Sequence, residues 1–300
     1  MSLYNKINSK EANIGVIGLG YWGTNVFNTL SKTNDKDLVL CDPYLDQYSR
    51  ETYKGYDFCE DYRDLGCDSV FIIIPPALHY EVCRHFLDKG VNVFCEKPLC
   101  FSLEEATDLY ERAEKNGCKL FVDWICTFTN ELNFIKRDYD RGRFGGVKSI
   151  FSERLALGPI RDDVDARWDL SSHDISVIAY MFEGRPEKTF WSDSKRNKKS
   201  SRHDSCCGVL HYDNFYAILN ASWEFIHGKK RRFVFEFDKV LVEWDDIDKS
   251  VKYNDHIVAR GLSGLSPLER SIDTFLSCDE GFIQRQKRLT LDVTGILNEC

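Results

Sequence analysis

The sequence contains no long apolar run. None of its hydrophobic segments approaches the roughly 20 residues that a helix needs to cross a bilayer. Residues 1–12 are polar and lack the apolar core of a secretory signal, so we expect a short disordered lead there. With only 7 prolines and 19 glycines in 300 residues, the chain is neither collagen-like nor of low complexity. These absences predict a globular protein that does not contact membranes.

Clustered positive charge is also missing. The formal net charge is −8 at pH 7, and the densest basic stretches, Lys195–Lys199 and Lys229–Arg232, are short. Nucleic-acid phosphates are bound by extended clusters of Lys and Arg. The composition therefore argues against a nucleic-acid partner, and we interpret both stretches as solvated surface charge.

The twelve cysteines include no Cys-x-x-Cys pair. Several lie inside apolar runs such as Val93-Phe94-Cys95, where a thiol behaves as a small hydrophobe. The histidines show no pairing at the spacing of metal ligands. This pattern predicts reduced thiols in a cytoplasmic protein and no metal site.

The first 125 residues alternate between strand and helix patterns. Runs such as Ser69–Ile74 and Val91–Cys95 are apolar throughout, and helical patterns such as Leu103–Asn116 separate them. Continuous apolar strands joined by helices indicate a parallel sheet that is covered on both faces. We therefore predict an α/β fold that begins with a doubly wound Rossmann domain over residues 1–125.

The pattern changes after about residue 147. Short strand-like segments follow each other with few helices between them, and helices are predicted at Trp168–Phe182, Pro267–Cys278 and Arg288–Glu299. Consecutive strands with short connections are typical of antiparallel pairing. We therefore predict that residues 126–300 form an α+β domain with a large, mostly antiparallel sheet that holds the substrate.

A glycine fingerprint follows the first apolar run. It reads Gly18-Leu19-Gly20-Tyr21-Trp22-Gly23 and lies between a strand pattern and a helix pattern, as a dinucleotide-binding turn requires. Asp42 ends the next strand pattern, where a carboxylate accepts hydrogen bonds from a ribose diol and repels a 2′-phosphate. The motif predicts NAD as cofactor, preferred over NADP; the plain alternative is three turn glycines and a surface aspartate.

The tripeptide Glu96-Lys97-Pro98 follows the apolar run Val91–Cys95. It therefore lies at the carboxyl edge of the predicted sheet, where ligands of open α/β sheets gather. A lysine at this edge is placed to hydrogen-bond a substrate hydroxyl and the nicotinamide region, and Pro98 stiffens the turn.

Together these motifs resemble the Gfo/Idh/MocA family of oxidoreductases. The resemblance rests on the fingerprint, on Glu96-Lys97-Pro98, on Pro75-Pro76-x-x-His79, on Trp168-Asp169-Leu-Ser-Ser-His173-Asp174 and on Pro267–Leu276. Ile74 stands where the family usually has Thr, which removes one hydroxyl from that loop. The resemblance implies that Pro75, Pro76, His79, Glu96 and Lys97 flank the cofactor, and that Lys97, Asp169 and His173 line the space above the nicotinamide ring.

The spacing of Asp169 and His173, four residues apart, puts both on one face of a helix. As a hypothesis, His173 takes the hydroxyl proton while hydride leaves the same carbon, Lys97 stabilises the alkoxide, and Asp169 orients a neighbouring hydroxyl. Lys97 remains an alternative proton carrier. The structural alternative is that Asp169 caps the helix and His173 is a buried core histidine.

A sugar nucleotide is the first substrate hypothesis, and a free polyol or aldose is the second. Arg154, Arg161 and Arg167 suit a pyrophosphate or carboxylate, although salt bridges with nearby aspartates explain them equally well. Trp124 is predicted to narrow the pocket or stack on a sugar.

Two other functions stay open. One is a non-catalytic sensor that binds dinucleotide and sugar, and the other is an NAD-dependent redox glycosidase. The survival of Lys97, Asp169 and His173 together favours an NAD(P)-dependent dehydrogenase or reductase that acts on CH–OH groups. The resemblance further implies a homodimer or homotetramer assembled through the C-terminal sheet.

Overall fold

The computed structural model describes residues 14–32, 38–46, 50–198 and 200–299. By internal packing the chain divides into two units. The first is Met1–Glu96 with Asp108–Phe121, and the second is Lys97–Thr107 with Val122–Cys300. The expected lead over residues 1–12 lies outside the described residues. The predicted domain boundary after residue 125 stays a prediction.

A six-stranded sheet forms the centre of the first unit. Its strands are β1 (Ile14–Ile17), β2 (Leu38–Cys41), β3 (Asp57–Cys59), β4 (Ser69–Ile72), β5 (Asn92–Glu96) and β6 (Leu120–Asp123). They lie in the order β3-β2-β1-β4-β5-β6, and β1 pairs in parallel with both β2 and β4. This order is that of a dinucleotide-binding Rossmann sheet. The prediction of a parallel α/β sheet is confirmed.

The described helices that accompany these strands are α1 (Tyr21–Leu30), α2 (His79–Leu87) and α3 (Leu103–Asn116), whose residues up to Thr107 are grouped with the second unit. In α3 the buried residues Ala106, Leu109, Tyr110 and Ala113 recur at helical spacing, while Glu104 and Glu105 occupy the first turn. Carboxylates near a helix N-terminus interact favourably with its dipole. The amphipathic pattern of this segment thus gives the helix that the sequence predicts.

An eight-stranded sheet dominates the second unit. Its strands are β7 (Val147–Leu155), β8 (Lys188–Ser194), β9 (Ser205–His211), β10 (Tyr216–Ser222), β11 (Lys230–Phe237), β12 (Leu241–Asp245), β13 (Ser250–Tyr253) and β14 (His256–Arg260). The order is β14-β13-β12-β11-β7-β10-β9-β8, and the pairing is antiparallel except between β7 and β10. The prediction of a large, mostly antiparallel sheet is confirmed.

The two faces of this sheet differ. Along β7, Ile150, Ser152 and Arg154 are buried, whereas Phe151 between them is 40% exposed. Tyr216 on the neighbouring strand β10 and Phe190 on the edge strand β8 are exposed as well. One face therefore belongs to the core of the unit, and the other presents aromatic side chains.

The described part of the second unit also contains the helices α4 (Asn130–Asp140), α5 (Ser172–Phe182), α6 (Pro267–Ser277) and α7 (Glu280–Asn298). A capping box between Ser266 and Glu269, with Pro267 at the first position, begins α6. Within the described part of the chain, no helix is both long and apolar enough to cross a membrane.

Some elements differ from the sequence prediction. The strands β3, β13 and β14 and the helix α4 were not predicted. The last helix begins at Glu280 rather than Arg288, because Asp279 caps it by accepting a hydrogen bond from the Phe282 N–H. The predicted helix Trp168–Phe182 is two elements, since Arg167–Ser171 forms a π-helical turn before α5.

Candidate active site

The glycine turn of the first unit joins β1 to α1. Gly18 has φ +89°, and a Cβ there would lie 2.1 Å from the Ile73 carbonyl oxygen. A Cβ on Gly23 would lie 1.9 Å from the Gly18 carbonyl oxygen, so that helix and turn touch backbone to backbone. A Cβ on Gly20 would meet nothing within 4 Å. The backbone therefore leaves open space beside Gly20, where a pyrophosphate needs to approach.

The N-terminus of α1 points its amide groups at the same place. Gly20 is the N-cap residue, and no side chain caps the helix. Tyr21 in the first turn is 88% exposed. Uncapped amides and the positive end of the helix dipole suit an anionic ligand, so the turn fits the diphosphate of a dinucleotide.

Asp42 is held beside this turn by two backbone groups. Its Oδ2 accepts a hydrogen bond from Leu19 N at 2.8 Å, and its Oδ1 accepts one from Tyr44 N at 2.9 Å. The Gly18 N–H also donates to the Cys41 carbonyl oxygen. Each carboxylate oxygen keeps a second lone pair for a ribose hydroxyl.

The Pro75-Pro76 loop is fixed from inside the unit. His79 is fully buried, and its Nε2 lies 2.9 Å from the Ile74 carbonyl oxygen. The prediction that His79 contacts the cofactor needs correction, because the ring is enclosed and bonded to its own loop. Pro76 is buried too, while Pro75 is exposed. His79 thus acts by shaping the loop.

Glu96 at the end of β5 is bonded to the fingerprint helix. The Trp22 indole N–H donates to Glu96 Oε1. Both residues belong to the first unit. The predicted cofactor residues Trp22 and Glu96 are therefore brought together, since the carboxyl ends of β1 and β5 lie at the same edge of the sheet.

In the second unit, Lys97 and Asp169 form an ion pair. Lys97 Nζ lies 2.9 Å from Asp169 Oδ1 and donates to the Asp169 carbonyl oxygen at 2.8 Å. Only 12% of the lysine side chain and 15% of the aspartate side chain are exposed. Burial raises the pKa of Asp169, but the positive charges of Lys97 and Arg161 more than offset this effect, so the net pKa is lowered. The carboxylate is ionised at neutral pH.

Aromatic packing brings these distant residues together. Phe101 lies four residues after Lys97 and Trp168 directly precedes Asp169; their rings meet edge to face, with centroids 5.3 Å apart. Both rings pack on a buried cluster of Val164, Ala166 and Trp223. The π-helical turn that carries Asp169 is thereby held against the Lys97 segment.

His173 lies in the first turn of α5, beside this ion pair. Its Nδ1 is 3.6 Å from the Cys126 Sγ, and its Nε2 has no hydrogen-bond partner among the described residues. Burial, followed by the positive charges of Lys97, Arg154 and Arg231, lowers the pKa of His173 well below its usual range. The imidazole is therefore neutral at pH 7 and able to accept a proton.

Asp174, the residue after His173, forms a buried ion pair with Arg154. Arg154 Nε donates to Asp174 Oδ1 at 2.6 Å, and Ser152 Oγ donates to Asp174 Oδ2 at 3.0 Å. Arg154 and Asp174 are 5% and 1% exposed. The pair joins β7 to α5, so of the two interpretations of Arg154 the structure shows a salt bridge. The inward position of Arg154 on an alternating strand was the signal for this role.

Sequence reasoning missed Cys126. The sequence assigns it no role in the site, yet its sulfur contacts both His173 Nδ1 and Arg154 Nη2, the latter at 3.7 Å. Burial raises the pKa of Cys126, so the group is a thiol and not a thiolate. No local pattern marks such a residue, because its partners are distant in sequence.

Arg161 and Arg167, the two other arginines predicted to bind substrate, lie in different surroundings. Arg161 pairs with Asp163 at 2.6 Å and lies 3.5 Å from Asp169, beside the candidate site. Arg167 instead pairs with Asp193 and lies over the Trp191 ring, so its guanidinium is already engaged.

The prediction that Trp124 narrows the pocket or stacks on a sugar also needs correction. It is 1% exposed, and its indole donates to Thr290 Oγ1 in the core of the second unit. The ring does not line an open site, because a large indole at the end of β6 fills the core there.

Comparisons with known proteins address the first unit most directly. Residues 12–124 match the oxidoreductase family with an NAD-binding Rossmann fold, Gfo/Idh/MocA. This match covers less than half of the chain, and it shows that the N-terminal part of the chain resembles the NAD-binding domain of that family. The six-stranded order and the glycine turn described above agree with that resemblance.

Individual proteins with similar sequences match only in part. An uncharacterized oxidoreductase of Bacillus subtilis, YrbE, is 28% identical over 130 residues, which is 40% of this chain and 38% of that protein. The D-xylose 1-dehydrogenase (NADP(+)) 2 of Haloferax volcanii is 29% identical over 161 residues, 50% of this chain and 48% of that protein. The chain thus spans about half or less of the length of these relatives.

A solved structure is similar in fold along nearly the whole chain. The UDP-N-acetylglucosamine 3-dehydrogenase GnnA from Acidithiobacillus ferrooxidans superposes with a TM-score of 0.79 at 18% identity. The match covers 96% of this chain and 99% of that one. At this identity the likeness establishes the fold of both units and not the substrate.

Proposed function

We propose that this protein is an NAD-dependent dehydrogenase or reductase that transfers hydride between nicotinamide and a hydroxyl-bearing carbon of a sugar or sugar nucleotide. The Lys97–Asp169 ion pair beside the neutral His173 carries the proposal. A cation and a neutral base next to each other supply the two things that alcohol oxidation requires, a stabilised alkoxide and a proton acceptor.

The cofactor residues are those of the glycine turn. Open space beside Gly20, the uncapped α1 N-terminus and the oriented Asp42 carboxylate fit NAD. NAD supplies the hydride acceptor or donor. Asp42 favours NAD over NADP, because a 2′-phosphate would meet a carboxylate that two backbone amides hold in place.

His173 is the proton acceptor in this proposal. Its Nδ1 faces the Cys126 sulfur, which leaves Nε2 for the substrate hydroxyl. Lys97 holds the substrate oxygen by a charge-assisted hydrogen bond as its proton leaves, and Asp169 orients the ammonium group. In the reductive direction His173 returns the proton at the same atom.

A sugar nucleotide is the first substrate class, with a free aldose or polyol second. The likeness to a UDP-sugar dehydrogenase supports the first, and the partial match to a xylose dehydrogenase supports the second. Arg161, beside Asp169 and 37% exposed, is the residue that would meet an anionic group of the substrate.

The test is a turnover assay with NAD and a panel of sugar nucleotides, hexuronates, aldoses and inositols, read by nicotinamide absorbance. We expect reduction of NAD with one class, and loss of turnover in Lys97→Met with NAD affinity retained. NAD binding without turnover across the panel would instead favour the sensor. Release of free sugar without net NADH would favour the redox glycosidase.

Assembly and location belong to the same proposal. The exposed aromatics Phe151, Phe190 and Tyr216 on the open face of the eight-stranded sheet support a homodimer or homotetramer through that face. Light scattering that gives a monomer would contradict it. A cytoplasmic location stays a prediction from the sequence.

A further inference from the structure

A cavity of about 840 Å³ lies among the four helices of the second unit. Residues one helical turn apart face it, such as Lys136 and Asp140 on α4 and Arg285 and Leu289 on α7. Small-molecule sites have volumes of roughly 300–1,000 Å³. The cavity is therefore large enough for a small organic ligand.

This cavity is separate from the candidate active site. On α5 its lining begins at Ala179, six residues beyond His173 and hence about 9 Å further along the helix axis. Lys97, Asp169 and His173 do not line it. The proposed hydride transfer leaves the cavity without a role.

Many polar groups around the cavity are paired within the protein. The Asn133 amide donates to the Thr127 and Thr129 carbonyl oxygens and accepts from the Tyr180 hydroxyl. Lys136 pairs with Asp140. These polar groups therefore need no ligand to complete their hydrogen bonds.

Three neighbouring residues on α7, Arg285, Gln286 and Arg288, are different. Gln286 is 3% exposed, and its Oε1 is buried with no hydrogen-bond partner among the described residues. Arg285 and Arg288 form no ion pair or hydrogen bond with any residue that the structure describes. The Arg285 guanidinium lies over the Phe282 ring, 5.5 Å from its centroid. A buried acceptor without a donor is costly, and two like charges one turn apart repel each other.

The chemistry of a ligand follows from these three groups. Guanidinium groups bind phosphates and carboxylates through two parallel hydrogen bonds. The Gln286 carbonyl oxygen requires a donor, such as a hydroxyl. The Phe282 ring and Leu289 offer an apolar surface to the C–H groups of a ligand.

We propose that this cavity binds a small polyhydroxylated anion, a sugar phosphate or a sugar acid, with its anionic group on Arg285 and Arg288 and a hydroxyl on Gln286 Oε1. The proposal does not depend on the proposed function.

Isothermal titration of the full chain with D-ribose 5-phosphate, in saturating NAD to occupy the dinucleotide site, tests it. We expect one saturable site per chain, weakened at least about tenfold in the R285Q/R288Q variant. The R137Q/R141Q variant removes the same charge from exposed positions at the end of α4, outside the cavity, and should bind as the wild type does. A parallel titration with D-gluconate distinguishes a phosphate from a carboxylate ligand.

The variant Gln286→Met tests the hydroxyl contact. It should weaken D-ribose 5-phosphate and leave the affinity for inorganic phosphate unchanged. Equal melting temperatures verify that the variants fold, and Lys97→Met should bind both probes normally. No saturable binding of either sugar anion, unchanged affinity in R285Q/R288Q, equal loss in R137Q/R141Q, or loss in Lys97→Met would each overturn the proposal.

Discussion

The glycine turn of the first unit and the cluster around His173 in the second are built in different ways. The turn is made of backbone in one short segment, Gly18–Gly23, whose shape is fixed by contacts such as that between Gly23 and the Gly18 carbonyl. The cluster takes side chains from separate segments: Lys97 after β5, Cys126 before α4, Asp169 in the π-helical turn and His173 in α5. The turn depends on the space that the absence of side chains at its glycines leaves. The cluster depends on electrostatic interactions between its side chains.

This difference indicates how each site responds to change. A backbone site tolerates a change of neighbouring charge but not an added methyl group, because hard contacts leave no room. A cluster of buried charges tolerates small changes of shape but not the loss of one partner, because that loss leaves the other charge buried without compensation and shifts the pKa of nearby groups. The following substitutions test that contrast, from the largest expected effect to the smallest.

Replacing the base should have the largest effect. His173→Gln should lower turnover by a factor of roughly 10²–10⁴, the range over which general bases contribute. Because the pKa of His173 is lowered, the imidazole is still neutral at pH 6.5, the pKa of an ordinary histidine. The rate of oxidation by the wild type should therefore begin to fall only below pH 6.5, where the imidazole becomes protonated. Rate–pH profiles measure both effects. An acid limb that is the same in the variant would assign it to another group.

Removing the cation should come next. Lys97→Met should lower kcat by about 10²–10³, as loss of a donor to a developing oxyanion does elsewhere, and should leave the NAD dissociation constant unchanged. Lys239→Met, an exposed lysine of the same unit, is the control and should behave as the wild type. Equal turnover of the two variants would remove Lys97 from the chemistry.

Two glycine substitutions sharpen the other half of the comparison. Gly23→Ala places a methyl group against the Gly18 carbonyl and should destabilise the protein by about 1–3 kcal/mol in urea unfolding. Gly20→Ala meets no atom and should change stability by less than about 0.5 kcal/mol, yet weaken NAD binding, because the methyl group occupies the open space. Equal NAD affinity for Gly20→Ala and wild type would contradict the placement of the pyrophosphate.

The smallest effect is expected at Asp42. Asp42→Asn keeps the size and one acceptor oxygen but removes the charge that repels a 2′-phosphate. The ratio of kcat/KM for NAD over NADP should fall about tenfold, or about 1.4 kcal/mol. An unchanged ratio would mean that Asp42 only orders the turn through its bonds to Leu19 and Tyr44.

Much of the first unit could be predicted from the sequence. Its strands are apolar throughout because the parallel sheet buries both faces, as the burial of β1 and β4 shows. Short elements were harder to predict: β3 has only three residues, and β13 and β14, of which β14 is the edge strand, show no clear alternation. The helix α4 carries charged residues all along, so its apolar stripe is narrow.

The residues of the candidate site could be predicted from the sequence, but the residues that contact them could not. The resemblance pointed to Lys97, Asp169 and His173, and the structure brings Lys97 and Asp169 into contact. The two arginines Arg154 and Arg167, by contrast, looked like anion ligands in the sequence and pair with Asp174 and Asp193 in the structure. A charge in a sequence does not reveal its partner, because the partner comes from another strand.

The sequence by itself determined the dinucleotide turn, because glycines at three fixed positions act through sterics within one segment. It also determined the two sheet types, because alternating and continuous apolar runs follow from which faces are buried. Only the tertiary structure decided the protonation of His173, the contact with Cys126 and the enclosure of Trp124 and His79. These depend on burial and on charges contributed by residues far apart in the chain, which no local pattern records.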